Sequence, residues 1–186
     1  MATEKFDLIV IGAGPGGYVA AIRASQLGMK VACVDRRSTL GGTCLNVGCI
    51  PSKALLNASE QFVRATDGTL ADLGISVGTP KLDLGRMQAA KDDIVSGLTG
   101  GIDYLFKKNK ITRLEGTARI DHVGEVSLVD GSDKGSYHGD RILIATGSHA
   151  SSLPNVAIDE KRIVSSTGAV ALTTLPKKLV VIGAGY

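Results

Sequence analysis

The sequence predicts a doubly wound α/β domain, in which helices pack on a parallel sheet and an antiparallel β-meander is inserted. Residues 6–11 form a short apolar run ending at glycine, residues 15–28 have helical spacing, and residues 31–34 form a second apolar run. Strand, glycine turn, helix and strand in this order predict a βαβ unit. Farther along, short β-like runs between residues 111 and 145 are separated by Asp-Gly and Lys-Gly turns, which predicts the meander.

The helices of this domain are predicted from the spacing of apolar residues. In the first helix, Val19, Ile22 and Leu27 are expected to contact the core. A second helix follows a glycine-rich turn within residues 40–66, and a third is predicted over roughly 83–107. Each would cover part of the sheet.

Composition and charge exclude some classes of function. The chain has 186 residues, of which 44% are hydrophobic and 21% charged, and its net charge is +3. Lys and Arg are scattered rather than clustered with aromatic residues, so a nucleic-acid surface is not expected. No apolar run approaches the roughly 18 residues of a membrane span. The start of the chain also does not resemble a signal peptide, and a cytoplasmic location is the expectation.

A glycine-rich turn lies between the first predicted strand and helix. Gly12, Gly14 and Gly17 fit the pattern G-x-G-x-x-G. In this pattern the first glycine permits a tight turn, the second lets a pyrophosphate approach the backbone, and the third allows close helix–strand packing. Asp35 ends the second predicted strand and can accept hydrogen bonds from a ribose diol. The combination predicts an adenine dinucleotide site, without separating FAD from NAD.

Two cysteines lie five residues apart after the second predicted strand. A regular helix would hold the Cα atoms of Cys44 and Cys49 about 8–9 Å apart, whereas a disulfide needs roughly 4.4–6.8 Å. The pair can close only if the chain bends, and Gly48 and Pro51 favour a bend. Two free thiols and a pair of metal ligands are the alternatives to a redox disulfide. No metal site is expected, because Cys33 lies inside a predicted strand and zinc needs four ligands.

A family resemblance rests on the segment that contains these cysteines. Residues 41–53 read GGTCLNVGCIPSK and resemble the active-site stretch of the pyridine nucleotide–disulfide oxidoreductases. Residues 46–56 most resemble the dihydrolipoyl dehydrogenase branch, with mercuric and glutathione-type reductases as alternatives. Residues 141–148 resemble the later flavin-contacting turn of this family, and residues 165–169 resemble the segment before its NAD domain. The resemblance therefore covers nearly the whole chain.

The resemblance implies a Rossmann-like FAD-binding domain with a catalytic disulfide. Cys44 would exchange with a dithiol substrate, Cys49 would lie against the flavin, and Lys53 would lie near the flavin N5. Asp35 stands where a Glu is expected in the family, and the shorter acid can still bind the ribose. The predicted cofactor-binding residues are Gly12, Gly14, Pro15, Gly16, Gly17, Asp35, Gly42, Thr43, Cys44, Lys53, Gly116, Ala145, Thr146, Gly147 and Ser148.

The same resemblance predicts how the chain divides into domains. Residues 1–148 would form the FAD-binding domain with the redox disulfide, and residues 149–176 a connection. Residues 177–186 would supply the first strand, at 178–182, and the glycine turn of a truncated NAD-binding domain. The rest of that domain, and the interface domain whose His–Glu pair acts as the base, are not in this sequence.

In the complete enzyme, the resemblance implies transfer of electrons from protein-bound dihydrolipoamide through the disulfide and FAD to NAD+. The expected partners are the lipoyl domains of 2-oxoacid dehydrogenase or glycine cleavage complexes, and a second copy in a homodimer. Alone, the fragment is expected to be inactive. A non-catalytic FAD-binding module is the alternative from a different functional class.

Overall fold

The computed structural model describes residues 4–183, within which strands and helices form an α/β arrangement. Among these residues, every helix is too short or too polar to span a membrane. The strands are β1 Glu4–Ile11, β2 Val31–Asp35, β3 Thr112–Glu115, β4 Ala118–His122, β5 Glu125–Leu128 and β6 Gly135–Ile144. The helices are α1 Pro15–Gln26, α2 Gly42–Val47, α3 Cys49–Thr66, α4 Thr69–Asp72, α5 Leu84–Lys108 and α6 Ser166–Ala169.

The strands form a mixed sheet in the order β3-β2-β1-β6-β5-β4. Strands β3, β2, β1 and β6 run parallel to one another. Strand β5 is antiparallel to both of its neighbours, β6 and β4. The predicted α/β class and parallel sheet are confirmed. The meander is smaller than predicted, because the run at 111–114 becomes β3 and pairs with β2 at the far edge of the parallel part. Because β4 and β5 are joined to β6, the antiparallel strands extend the opposite edge.

The core consists of two clusters, and the alternation of side chains along β2 separates them. Val31 and Cys33 belong to one cluster, whereas Ala32 and Val34 belong to the other. The first cluster includes side chains of α1 and Phe106 of α5, so helices cover it. The second contains strand residues, and its other members are Phe6, Ile9 and Ile11 of β1, Leu114 of β3, and Val126 and Leu128 of β5. Both clusters support the strand ends where the glycine turn lies.

The buried face of α1 differs in part from the predicted one, since Ile22 packs against the first core cluster as predicted but the other two residues do not. Val19 and Leu27 are 56% and 65% exposed, so the prediction that they contact the core is wrong. The buried residues are Gly17, Ala21 and Ala24, which also have helical spacing. Small side chains let a helix approach the sheet more closely than Val or Leu would, because less volume separates the two backbones.

The end of the chain also departs from the prediction. Residues 149–165 are largely irregular, and the short helix α6 follows them. The strand predicted at 178–182 is absent, and the side chains from Leu179 to Ile182 are at least 61% exposed. A parallel strand is stable only beside a partner, and no described strand pairs with this segment. The glycine turn predicted after it, at residues 183–186, lies outside the described residues from its second residue on.

Replacing Gly17 by Ala is expected to destabilise the domain by about 2–3 kcal/mol, because overpacking a close contact forces the backbone apart. A Cβ on Gly17 would overlap the carbonyl oxygen of Gly12 and lie 3.3 Å from Cγ1 of Val10. The matched control is Gly100→Ala in α5, where nothing lies within 4 Å of an added Cβ. Ala is favoured over Gly in a helix by about 1 kcal/mol, so this control should gain stability in urea unfolding. Equal urea midpoints for Gly17→Ala and Gly100→Ala would contradict the close packing of Gly17 against Gly12 and Val10.

Candidate functional site

The turn between β1 and α1 brings bare backbone to the carboxyl edge of the sheet. Gly12 has a φ of +104°, a backbone conformation that residues other than glycine rarely adopt. A Cβ on Gly12 would also overlap the carbonyl oxygen of Ala145, which follows β6. Gly14 is the N-cap of α1, with Pro15 at the first helical position. The unpaired N–H groups of this helix end therefore point away from the helix, as in sites that bind phosphate.

Asp35 lies at the end of β2 and is hydrogen-bonded to the same turn. Its Oδ2 accepts a hydrogen bond from the backbone N–H of Ala13 at 2.8 Å, and its Oδ1 accepts one from the N–H of Arg37 at 2.9 Å. Its backbone carbonyl accepts a hydrogen bond from the N–H of Gly116 at 3.0 Å. A carboxylate has about four acceptor positions, so Asp35 holds the turn and keeps acceptor capacity for a ribose.

Two adjacent cavities form a cleft along this edge of the sheet, with volumes of about 400 and 330 Å³. One runs from the glycine turn towards Gly116 and His149, and the other runs towards Cys44 and Cys49. The residues that line both cavities are Gly12, Asp35, Arg36, Thr146, Gly147 and Ser148. The cleft therefore extends to both sides of the turn, as an extended dinucleotide requires.

Most of the predicted cofactor-binding residues line this cleft. Gly14, Pro15, Gly42, Thr43, Cys44 and Ala145 line the cavity on the cysteine side, and Gly116 lines the other one. Gly17 is buried at the contact between helix and strand, and Gly16 is exposed on α1. Lys53 is exposed on α3, four residues after Cys49 and so on the same side of the helix. These three residues do not line either cavity.

Several residues that line the cleft are not among the predicted ones. Each follows the carboxyl end of a parallel strand or flanks a cysteine: Arg36, Arg37, Gly48, Thr117, Ala118 and His149. Ligands of open parallel sheets bind beyond the carboxyl ends of the strands. The residues just after Asp35, Gly116 and Ser148 could therefore have been predicted from the sequence, because the predicted residues beside them already mark the strand ends.

The segment with the two cysteines is bent where the sequence predicts a bend. Cys44 lies in α2, Cys49 is the first residue of α3, and Gly48 separates the helices with φ of −126° and ψ of −110°. A Cβ on Gly48 would lie 2.9 Å from the carbonyl oxygen of Thr43, so the helices approach closely there. The bend places Cys44 and Cys49 together in the lining of the same cavity. Both are thiols in this structure.

The electrostatic environment distinguishes the two thiols. The hydrogen bond with Cys49 raises the pKa of Cys44 above its usual value, and partial burial raises it further. Cys49 lies at the N-terminus of α3, where the helix dipole favours negative charge. The raised pKa of Cys44 favours its protonated form.

The third cysteine, Cys33, belongs to the core of the sheet, as the sequence predicts. It is fully buried in β2, and its thiol lies 3.9 Å from the carbonyl oxygen of Gly12. Burial raises its pKa to about 12, and the nearby charge of Asp35 raises it further in the same direction. The thiol of Cys33 is therefore protonated and inert at neutral pH.

The fold and the cleft define a class of protein: a dinucleotide-binding α/β domain that carries two adjacent thiols at one end of its cleft. The chain belongs to the pyridine nucleotide-disulphide oxidoreductase family, whose sequence pattern matches residues 6–186.

Curated relatives resemble this chain over nearly all of its length. A leghemoglobin reductase of Vigna unguiculata is 57% identical over 99% of this chain and 35% of its own length. Dihydrolipoyl dehydrogenase 3 of Pseudomonas putida is 56% identical over 98% of this chain and 39% of its own length. The mitochondrial dihydrolipoyl dehydrogenase of Dictyostelium discoideum is 56% identical over 99% of this chain and 38% of its own length. The chain thus spans a little more than a third of these relatives.

After reduction, iodoacetamide is expected to alkylate Cys44 and Cys49 in the native protein and to leave Cys33 unmodified. At neutral pH, the fraction of a thiol with a pKa of about 12 that is present as thiolate is on the order of a thousandfold smaller than for an ordinary thiol. Peptide mass spectrometry over a time course measures the three rates, and the same reaction in urea should label all three cysteines. Labelling of native Cys33 as fast as Cys49 would show that β2 is not buried as described.

Proposed function

We propose that this chain binds FAD in the cleft and, within a complete enzyme, acts as the dithiol-oxidising part of a dihydrolipoyl dehydrogenase. The observation that carries the proposal is the position of Cys44 and Cys49 at one end of a cleft whose middle is the glycine turn. A dinucleotide held at its pyrophosphate by that turn extends in both directions. One half of it would then reach the thiol pair.

The residues of the cleft fit FAD in chemical type as well as in size. The N-terminus of α1 and the space above Gly14, where an added Cβ would meet only Gly42 Cα at 3.9 Å, suit a pyrophosphate. Asp35 suits the ribose hydroxyls, with Arg36 and Gly116 beside it. Thr146, Gly147 and Ser148 would contact the cofactor between its two halves. Bound FAD would supply a two-electron acceptor beside Cys49.

The two cysteines would perform the exchange with the substrate. In the oxidised enzyme, one thiolate of the substrate dithiol attacks the Cys44 sulfur, and the Cys44–Cys49 bond breaks. The second substrate thiolate then displaces Cys44. The substrate leaves as a disulfide, and its two electrons and two protons pass to the pair, which is left as the two thiols of Cys44 and Cys49. Retention of a proton by Cys44 matches its raised pKa.

Lys53 would assist from α3 by placing a cation on the same side of this helix as Cys49. Its position one turn after Cys49 supports this role. A nearby cation stabilises negative charge on a thiolate or on a reduced cofactor. The side chain is exposed, so it would have to turn towards the cleft when the cofactor binds.

The remaining parts of the proposal concern a longer protein than this chain. NAD+ would be the electron acceptor, lipoyl domains of 2-oxoacid dehydrogenase or glycine cleavage complexes would present the substrate, and the enzyme would act as a homodimer. The names of the relatives from Pseudomonas putida and Dictyostelium discoideum, both dihydrolipoyl dehydrogenases, support a dihydrolipoyl group as the substrate. Within it, residues 1–148 form the FAD domain, 149–176 the connection and 177–186 the beginning of the NAD domain. The cytoplasmic location stays a prediction, since one of these relatives is mitochondrial.

In the complete polypeptide that carries this chain, Cys44→Ser and Cys49→Ser are each expected to lower the rate of NADH formation from dihydrolipoamide by at least about a thousandfold, because the disulfide that the substrate thiolate attacks can no longer form. Both variants should retain FAD, measured by its absorbance after gel filtration, because the serine keeps the shape of the thiol. The matched control Cys33→Ala should keep the activity while losing some stability.

Two results would contradict the proposal. A wild-type protein that oxidises dihydrolipoamide no faster than its Cys44→Ser variant would exclude the role of the pair. A wild-type protein that contains FAD and reduces glutathione disulfide, but has no activity on dihydrolipoamide, would assign the site to a glutathione-type reductase.

A further inference from the structure

The side chain of Asn46 lies between the two cysteines in sequence and makes three hydrogen bonds. Its Oδ1 accepts a hydrogen bond from the hydroxyl of Thr39 at 2.7 Å. Its Nδ2 donates to the backbone carbonyls of Leu40 at 3.0 Å and of Gly42 at 2.9 Å. Both donors of the amide are used, so the orientation of the side chain is fixed. All three partners belong to the segment 39–42, which precedes and begins α2.

The helix that Asn46 belongs to needs such contacts. Helix α2 has six residues, and its N-cap, Gly41, provides no side-chain hydrogen bond. Isolated helices of this length are unstable, because nucleation costs more than a few hydrogen bonds return. Its orientation therefore depends on contacts with the rest of the protein, and the orientation of α2 decides where the sulfur of Cys44 lies.

The segment that Asn46 contacts is itself seated on the glycine turn. The N–H of Gly41 donates to the carbonyl of Ala13 at 2.9 Å. A Cβ on Gly42 would lie 2.5 Å from Gly14 Cα, so the two backbones are in direct contact. Asn46 thus connects the helix of Cys44, through the segment 39–42, to the turn at the middle of the cleft.

We propose that Asn46 is a positioning residue that holds Cys44 against Cys49 by fixing α2 to the segment 39–42, which packs on the glycine turn. The inference rests on the proposed redox role of the cysteine pair. A pair of thiols held close together forms a disulfide more favourably than a mobile pair, because its effective concentration is higher. Asn46 therefore raises the tendency of the pair to form its disulfide.

The experiment equilibrates the complete polypeptide with glutathione buffers of increasing oxidised fraction. The balanced reaction converts the two protein thiols and one glutathione disulfide into one protein disulfide and two glutathione thiols. Acid quenching, alkylation and peptide mass spectrometry give the equilibrium constant for the Cys44–Cys49 bond. Flavin content and the unfolding midpoint are measured on the same samples.

Asn46→Ala is expected to lower this equilibrium constant by about tenfold, because hydrogen bonds that favour the closed pair are lost. Thr39→Val removes only the bond to Oδ1, and should lower it by about threefold. The matched control is Ser59→Ala, which removes a hydrogen bond from the exposed hydroxyl of Ser59 to the carbonyl of Leu56 on α3. It should leave the constant within about twofold of wild type, as surface substitutions do.

The outcomes separate this inference from the proposed function. If wild type forms the disulfide, and Asn46→Ala and Thr39→Val both have the wild-type equilibrium constant for it, the inference is wrong while the proposed function stands. A lower unfolding midpoint without a change in the constant would likewise show that Asn46 has a structural role alone. If wild type forms no disulfide at any glutathione ratio, both the inference and the proposed redox role are wrong. Should Asn46→Ala fail to fold, the result for Thr39→Val decides.

Discussion

Direct contact between backbone segments at the glycine turn is the constraint on which the rest of the site depends. Gly12 adopts a left-handed φ of +104°, and a Cβ there would overlap the carbonyl of Ala145. Gly17 brings α1 onto the carbonyl of Gly12, and Gly42 brings the start of α2 onto Gly14. Segments that are far apart in the sequence therefore meet at one point. Side chains at these positions would separate them and open the site.

This contact decides what faces the cleft. It places the end of β2 beside the turn, where Asp35 accepts a hydrogen bond from Ala13, and it places α2 beside the N-terminus of α1. The bend at Gly48 then turns Cys49 back towards Cys44. Because the turn, the carboxylate and the thiols share one rigid framework, a ligand bound at the turn would lie at a fixed distance from the thiol pair.

The sequence predicted those parts of the fold that local patterns determine. The unit from β1 to β2, its turn and the bend at Gly48 follow from glycine spacing and short apolar runs, and they lie where predicted. Three-dimensional partners decide the rest. Val19 looked like a core residue although smaller residues of α1 are buried. Within residues 4–183, the apolar run at 178–182 has no neighbouring strand to pair with. The partners of Asn46 are likewise invisible in a linear pattern.

The central claim is that the thiol pair and the cofactor share one cleft, and alkylation of Cys49 with and without FAD tests it most directly. Protein stripped of FAD should react rapidly with iodoacetamide at Cys49, and adding FAD back should slow this reaction strongly, because the cofactor would cover the exposed sulfur. An equal rate of alkylation in the FAD-bound and FAD-free protein would contradict the account, because the cofactor would then lie elsewhere.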